Sequence, residues 1–92
     1  MKIMRQGDIV FLQLSSSPAL EAGEKLEVTG ASGNVHVLAP CKVVRPLQEG
    51  TARVAVPEEG AVVSHPEHQP LHLPPGGWEV RVARRYQAGY GD

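Results

Sequence analysis

VVRPLQEGTARVAV, residues 43–56, sets two valine-rich runs on either side of Glu49-Gly50. Glycine admits positive φ, so a β-branched run, a short Glu-Gly break and a second β-branched run predict a hairpin. Pro46 has no N–H to give to a ladder, which places it at an edge or a bulge. Strand patterns recur on both sides of this hairpin. DIVFLQL (8–14) follows the turn RQG, and EKLEVTG (24–30), NVHVLAP (34–40) and CKVVRPL (41–47) lead into the hairpin. After it come AVVS (61–64), PLHL (70–73) and WEVRVARRY (78–86). The last run alternates, with Trp78, Val80 and Val82 on one face and Glu79, Arg81 and Arg85 on the other. Strands at about ten-residue spacing with turn residues between them predict an all-β fold. The expectation is a small antiparallel β-barrel or sandwich of six to eight short strands, one domain over residues 1–92 with 87–92 as a frayed tail.

Helix finds little support. Eight prolines and ten glycines interrupt every window before an apolar stripe of helical period can build. SPALEAGEKL is the best candidate, and Gly23 ends it after barely one turn, so it reads as a loop that holds a turn of helix at most.

Composition narrows the function. The formal net charge is -1, which provides no global field to draw in nucleic acid or acidic lipid. One cysteine, Cys41, rules out an internal disulfide and a paired-cysteine metal knuckle. Its neighbours APCKVV read as the start of a strand, which makes it a buried small side chain rather than a reactive thiolate. Near the N-terminus the apolar run lasts only from Ile9 to Leu12, too short for a secretory segment or a membrane helix. These features predict a soluble, cytoplasmic protein. No phosphate loop, nucleophile elbow or Ser-His-Asp order occurs, so the reading leans away from an enzyme.

The chemistry-bearing stretch is SHPEHQPLHLPPGGWEV, residues 64–80. Pro66 and Pro70 stiffen a loop that carries His65 and His68. His36, after a glycine turn and on a strand expected beside 61–64, is the natural third imidazole. Together they form a candidate divalent-metal site for zinc, nickel or iron, with Glu67 as a further ligand or an orienting partner. The plainer alternative is a solvated or hydrogen-bonded histidine loop. His72 alternates with Leu71 and Leu73 and is expected to face solvent. Pro75-Gly76 suits a type II turn that delivers Trp78 to the core. A second candidate surface consists of Trp78, Arg81 and Arg85, since basic and aromatic residues on a small barrel can hold a single strand. Only four aromatics (one Trp, two Tyr, one Phe) and an interspersed Glu79 weigh against it. Asp8, after Gly7, reads as a turn cap.

RQGD at 5–8, the glycine turn at 33–36 and the block from His65 to Val80, with Arg84 to Tyr86, resemble a group of short uncharacterised bacterial and phage proteins. That group carries H-x-E-H-x-P-[LI]-x-L-P-x-G-x-[YW]-x-V near its C-terminus and Gly-His-x-His in the middle. Here Asn34 occupies the first histidine position of the middle motif. The resemblance implies no activity. More loosely, histidines followed by LPPG are similar to half of a cupin motif, which holds a metal inside a β-barrel.

The functional expectation is a binding or accessory module with a divalent-metal site at His36, His65 and His68. One alternative is a protein-interaction module whose histidine loop is only structural. The other is single-strand binding through Arg81 and Arg85, against which the charge balance speaks. A chain this short leaves a modest core and open strand edges, so a homodimer is expected, with a small ligand or a protein as further partner.

Overall fold

A computed structural model describes residues 2–30 and 33–83. Eight strands account for most of them: β1 (Ile3–Gln6), β2 (Ile9–Gln13), β3 (Glu24–Thr29), β4 (Val35–Gln48), β5 (Thr51–Val56), β6 (Ala61–His65), β7 (His68–Leu73) and β8 (Gly76–Val82). Every strand pairing is antiparallel and no helix occurs among the described residues. The order β1-β2-β8-β5-β4-β6-β7, with β3 added on β4, wraps round until β1 and β7 touch. The result is a nearly closed, barrel-like sheet, as the alternation and turn spacing predict.

The hairpin at 43–56 anchors it. Gln48 pairs with Thr51, leaving Glu49 and Gly50 as a two-residue turn with φ of 53° and 81°. Two successive positive values are what a type I′ turn requires, and its twist matches that of the flanking strands. The β4–β5 register slips between Val43 and Arg45 and again between Arg45 and Gln48, so Pro46 falls in a bulged stretch.

One expectation is corrected here. Residues 34–40 and 41–47 are not two strands but parts of the single 14-residue β4. Its first half pairs with β3 and β6, and its second half with β5. Pro40 does not interrupt it, because the β3 ladder slips between Glu24 and Leu26 at that level and asks no N–H of residue 40. One long strand thereby serves both parts of the sheet. A second correction concerns the N-terminus: residues 3–6 are strand, and the tight turn is Gly7-Asp8 between β1 and β2. Residues 14–23 contain no helical turn, and Ala19 bridges Pro57 instead.

Inward positions alternate as strand geometry demands. Ile9, Phe11, Leu26, Val28, Leu38, Cys41, Val54, Val56, Val63, Leu73, Trp78 and Val80 belong to one core. Burial in these apolar surroundings pushes the Cys41 thiol up to about 11. Pro75-Gly76 does not form the expected free turn. Gly76 already opens β8, is buried with φ of 134°, and lies so close to Ser15 that a Cβ would run into the Ser15 carbonyl. Arg84, Arg85, Tyr86 and the tail at 87–92 lie outside the described residues.

Candidate functional site

Three connections that are far apart in sequence come together at one end of the strands. They are Gly7-Asp8 between β1 and β2, Gly30 and Asn34 at the facing ends of β3 and β4, and Pro66-Glu67 between β6 and β7. His36 sits on the inward face of β4, two residues before Leu38, and is 2% exposed. His65 continues the inward series Ala61, Val63 on β6 and is 9% exposed. His68, the first residue of β7, is exposed. The expected pairing of the His36 strand with residues 61–64 is present, with Val37 opposite Ser64. The three rings form a graded stack. His65 lies between the other two, at centroid distances of 4.2 Å from His36 and 4.5 Å from His68, and the outer pair is 6.1 Å apart.

Gln6 organises this end. Its side-chain amide donates to the Val63 carbonyl at 3.0 Å and the Gln69 carbonyl at 2.8 Å, so it ties β1 to β6 and β7 where the sheet nearly closes. Those two bonds fix which end of the amide is which, and Gln6 Oε1 then faces His36 Nδ1 at 2.9 Å. An acceptor there requires Nδ1 to carry hydrogen. In the neutral ring the lone pair is therefore on Nε2. Burial, then the field of His65, lower the His36 pKa, with Asp8 opposing, so the neutral ring is favoured. That Nε2 faces Asp8 Oδ1 at 3.7 Å, beyond hydrogen-bond range. Asp8 reaches this position because Gly30 has no side chain: a Cβ there would collide with its carboxylate.

His65 has the opposite tautomer. The Glu67 backbone N–H donates to its Nδ1 at 3.0 Å, so the proton of a neutral ring lies on Nε2. Nε2 is buried and has no hydrogen-bond partner among the described residues. Glu67 thus orients a histidine through its main chain, while its carboxylate accepts from Asn34 Nδ2 at 3.2 Å. His68 Nε2 lies over the first turn, 2.8 Å from where a Gly7 Cβ would be, and Gly7 has φ of 60°. The bare Gly7 is what allows that approach.

The three histidines named from sequence are brought together, and Asp8 and Gln6 join them although their spacing gives no hint of it. The available signal was the polar triplet Gln6-Gly7-Asp8 at a tight turn, but nothing in the sequence says which turns share an end of the barrel. The rings lie at interplanar angles of 18° to 47°, and ring lone pairs lie in the ring planes, so the nitrogens of the stack do not converge. Among the described residues no three His, Cys, Asp or Glu side chains are arranged to hold a metal ion.

Of the second candidate surface, only Trp78 and Arg81 are among the described residues. Trp78 is fully buried, with Nε1 donating to the Pro74 carbonyl at 3.0 Å, so it presents no stacking face. Arg81 is exposed and donates to Glu79, whose other oxygen lies 3.6 Å from Arg53. Phe11 is buried too, which leaves no exposed Phe, Trp or Tyr among the described residues. Arg85 lies outside them. His72 is exposed, as its alternation predicts.

Fold and site together define a small antiparallel barrel module with a histidine-lined end. Residues 5–83 match the model of a family described as a domain of unknown function (DUF8820), and the chain belongs to that family. No curated protein and no solved structure matches the chain. No helix among the described residues is long and apolar enough to cross a membrane.

Proposed function

We propose that the protein is a binding module that takes up a divalent metal ion at the histidine-lined end of the barrel. One observation carries this reading: the His36 Nε2 lone pair and a carboxylate oxygen of Asp8, both able to ligate a cation, face each other at 3.7 Å. A cation between them turns that confrontation into attraction. Two ligands about 2.0 to 2.2 Å from a common ion stand roughly 3 to 4 Å apart, which suits this separation. His36 also has the support a ligating imidazole needs, since its other nitrogen donates to Gln6 Oε1. His68 is exposed and completes the set when its side chain turns toward Asp8. His65 flanks the ion in its observed tautomer and does not ligate it. Two imidazoles and a carboxylate suit zinc, nickel or iron.

The rival is a purely structural cluster, in which a proton on His36 neutralises Asp8. The lowered His36 pKa weighs against it. Elemental analysis separates the two. Untagged protein incubated with each metal and dialysed is expected to retain one equivalent of zinc, nickel or iron, and Asp8→Asn and His36→Gln are expected to lose it. Retained metal in neither the parent nor the variants sinks the proposal.

A further inference from the structure

The sheet is not closed on every side. β1 and β7, the ends of the strand path, face each other across the Gln6 bonds. β3 pairs with β4 alone, and no other strand among the described residues is hydrogen-bonded to its outer edge. The β4 ladder tells which groups that edge presents. Gly30 N–H donates to the Asn34 carbonyl opposite it, in the register that sets Val28 against His36 and Leu26 against Leu38. Antiparallel pairs alternate between bonded and non-bonded, so the even-numbered residues of β3 turn their N–H and C=O groups to β4. Lys25, Glu27 and Thr29 turn theirs outward. Open edges are commonly blunted by proline, by a bulge in the edge strand or by an edge lysine. β3 has no proline, the extra residue of its ladder slip belongs to β4, and Lys25 is matched by Glu27 at 3.0 Å.

We infer that β3 pairs antiparallel with β3 of a second copy of the chain, about a two-fold axis at Leu26, to form a symmetric dimer. Charge selects both the occupant and the register. Side chains opposed across a ladder share a face, so odd-numbered residues meet odd-numbered ones. Centred on Lys25 or on Glu27, the pairing sets that charge against its own copy. Centred on Leu26, it sets Lys25 against the partner's Glu27 and Glu27 against the partner's Lys25. No other face-keeping centre within β3 opposes unlike charges. These are also the residues whose backbone groups turn outward, so each such pair exchanges both of its hydrogen bonds. Leu26, 6% exposed, meets the partner's Leu26 in a non-bonded pair, where side chains approach most closely. Lys25 and Glu27 are 64% and 53% exposed in one protomer, and in the dimer each has an opposite charge beside it and another across from it. Strand addition of this kind takes its affinity from main-chain bonds and its specificity from the side chains beside them. The pairing uses none of the histidines, so it stands or falls apart from the metal.

Charge reversal tests the pairing. In sedimentation equilibrium at tens of micromolar, the untagged parent is expected to show twice the mass of the chain. Lys25→Glu and Glu27→Lys each set like charges together on both sides of the axis, and the dimer dissociation constant is expected to rise about tenfold or more. The double variant restores unlike pairs and is expected to restore the dimer. The two single variants, mixed, are expected to form a heterodimer. A monomeric parent overturns the inference. Association that neither single variant weakens places the interface elsewhere and overturns it too, as does a double variant or a mixture that associates no better than the single variants alone. Amide exchange in the parent gives a reading without any variant. The N–H groups of Lys25, Glu27 and Thr29 are expected to be protected at high concentration and to lose that protection on dilution. Exchange that is fast at every concentration overturns the pairing. So does slow exchange in a monomer, which would assign the edge to another segment of the same chain.

Discussion

The two ends of β2, β6 and β7 are built to different standards. At one end, Trp78 fills the core and its indole N–H is met by the Pro74 carbonyl. Gln13 donates to the Pro75 carbonyl at 3.1 Å, and Gly77 N–H donates to the Ser15 carbonyl at the same distance. At the other end, histidines replace the apolar side chains, a ring lone pair faces a carboxylate, and a buried N–H has no partner among the described residues. Both ends use glycine to bring chain close to chain. At Gly76 the neighbour is a backbone carbonyl, whereas at Gly7 it is the tip of an exposed side chain. The closed end satisfies its own polar groups, while the histidine end leaves the buried His65 Nε2 without a partner among the described residues.

Emptying the closed end challenges this contrast most severely. Trp78→Ala is expected to cost about 3 to 5 kcal/mol in denaturant unfolding, whether or not metal is added. A cost below that of any histidine substitution would mean that the wrong end holds the fold together.

Gln6→Ala is expected to come next. It strips the Val63 and Gln69 carbonyls of a donor and His36 of its acceptor, for about 1 to 3 kcal/mol. It also frees His36 to take the other tautomer, so metal affinity is expected to fall together with stability. A stable variant with unchanged metal affinity would detach Gln6 from the site.

Gly76→Ala and Gly7→Ala set the two ends side by side. Both residues have positive φ, which costs a side chain about 1 to 2 kcal/mol. Gly76→Ala is expected to be much the worse, because the Ser15 carbonyl is held by the Gly77 amide. At Gly7 the added methyl crowds only the ring of His68, which can swing away, and meets His36 Cε1 at an ordinary contact distance. Gly7→Ala is therefore expected to remain folded while its metal affinity changes. Equal unfolding midpoints would refute this account of the two glycines.

The smallest effect concerns pH. The Cys41 thiol has an ordinary value of 9.0 and is raised to about 11 in the fold. The folded state therefore holds that proton more tightly than the unfolded chain, and the associated stability is complete below about pH 9 and lost as pH rises towards 11. Unfolding midpoints measured across that window should decline in the parent and decline less in Cys41→Ala. Reaction of the native thiol with an alkylating reagent at pH 8 should be slow and become fast in denaturant.

Much of this molecule was legible before folding was considered. The Glu49-Gly50 hairpin, the inward alternation of Trp78 and Val80, the outward His72 and the absence of helix among the described residues follow from period and turn chemistry, which act over a few residues. So did the neighbourhood of His36 and residues 61–64, because short antiparallel strands at regular spacing leave few ways to pair. The fusion of residues 34–47 into one strand was not legible, since Pro40 looks like a break until the bulge opposite it is known. The burial of Trp78, by contrast, follows the expectation that the turn before it delivers it to the core.

Local conformation was thus written in the chain: where glycine permits a reversal, which side chains alternate, and that three histidines lie beside turns. The shared end of the barrel was not. Gln6 and Val63 lie 57 residues apart, and only wrapping of the sheet brings the Gly7-Asp8 turn beside the histidines. The cause is range. Turn and strand preferences act between neighbours in the chain. By contrast, the Gln6 bonds to Val63 and Gln69, the seat of Asp8 on Gly30 and the stack of His36, His65 and His68 join residues that meet only in the folded sheet. The tautomer of His36 belongs to the same class, because the Gln6 side chain that sets it comes from another strand. That of His65 is set within its own turn by the Glu67 amide, yet burial of its free N–H is the work of the wrapped sheet.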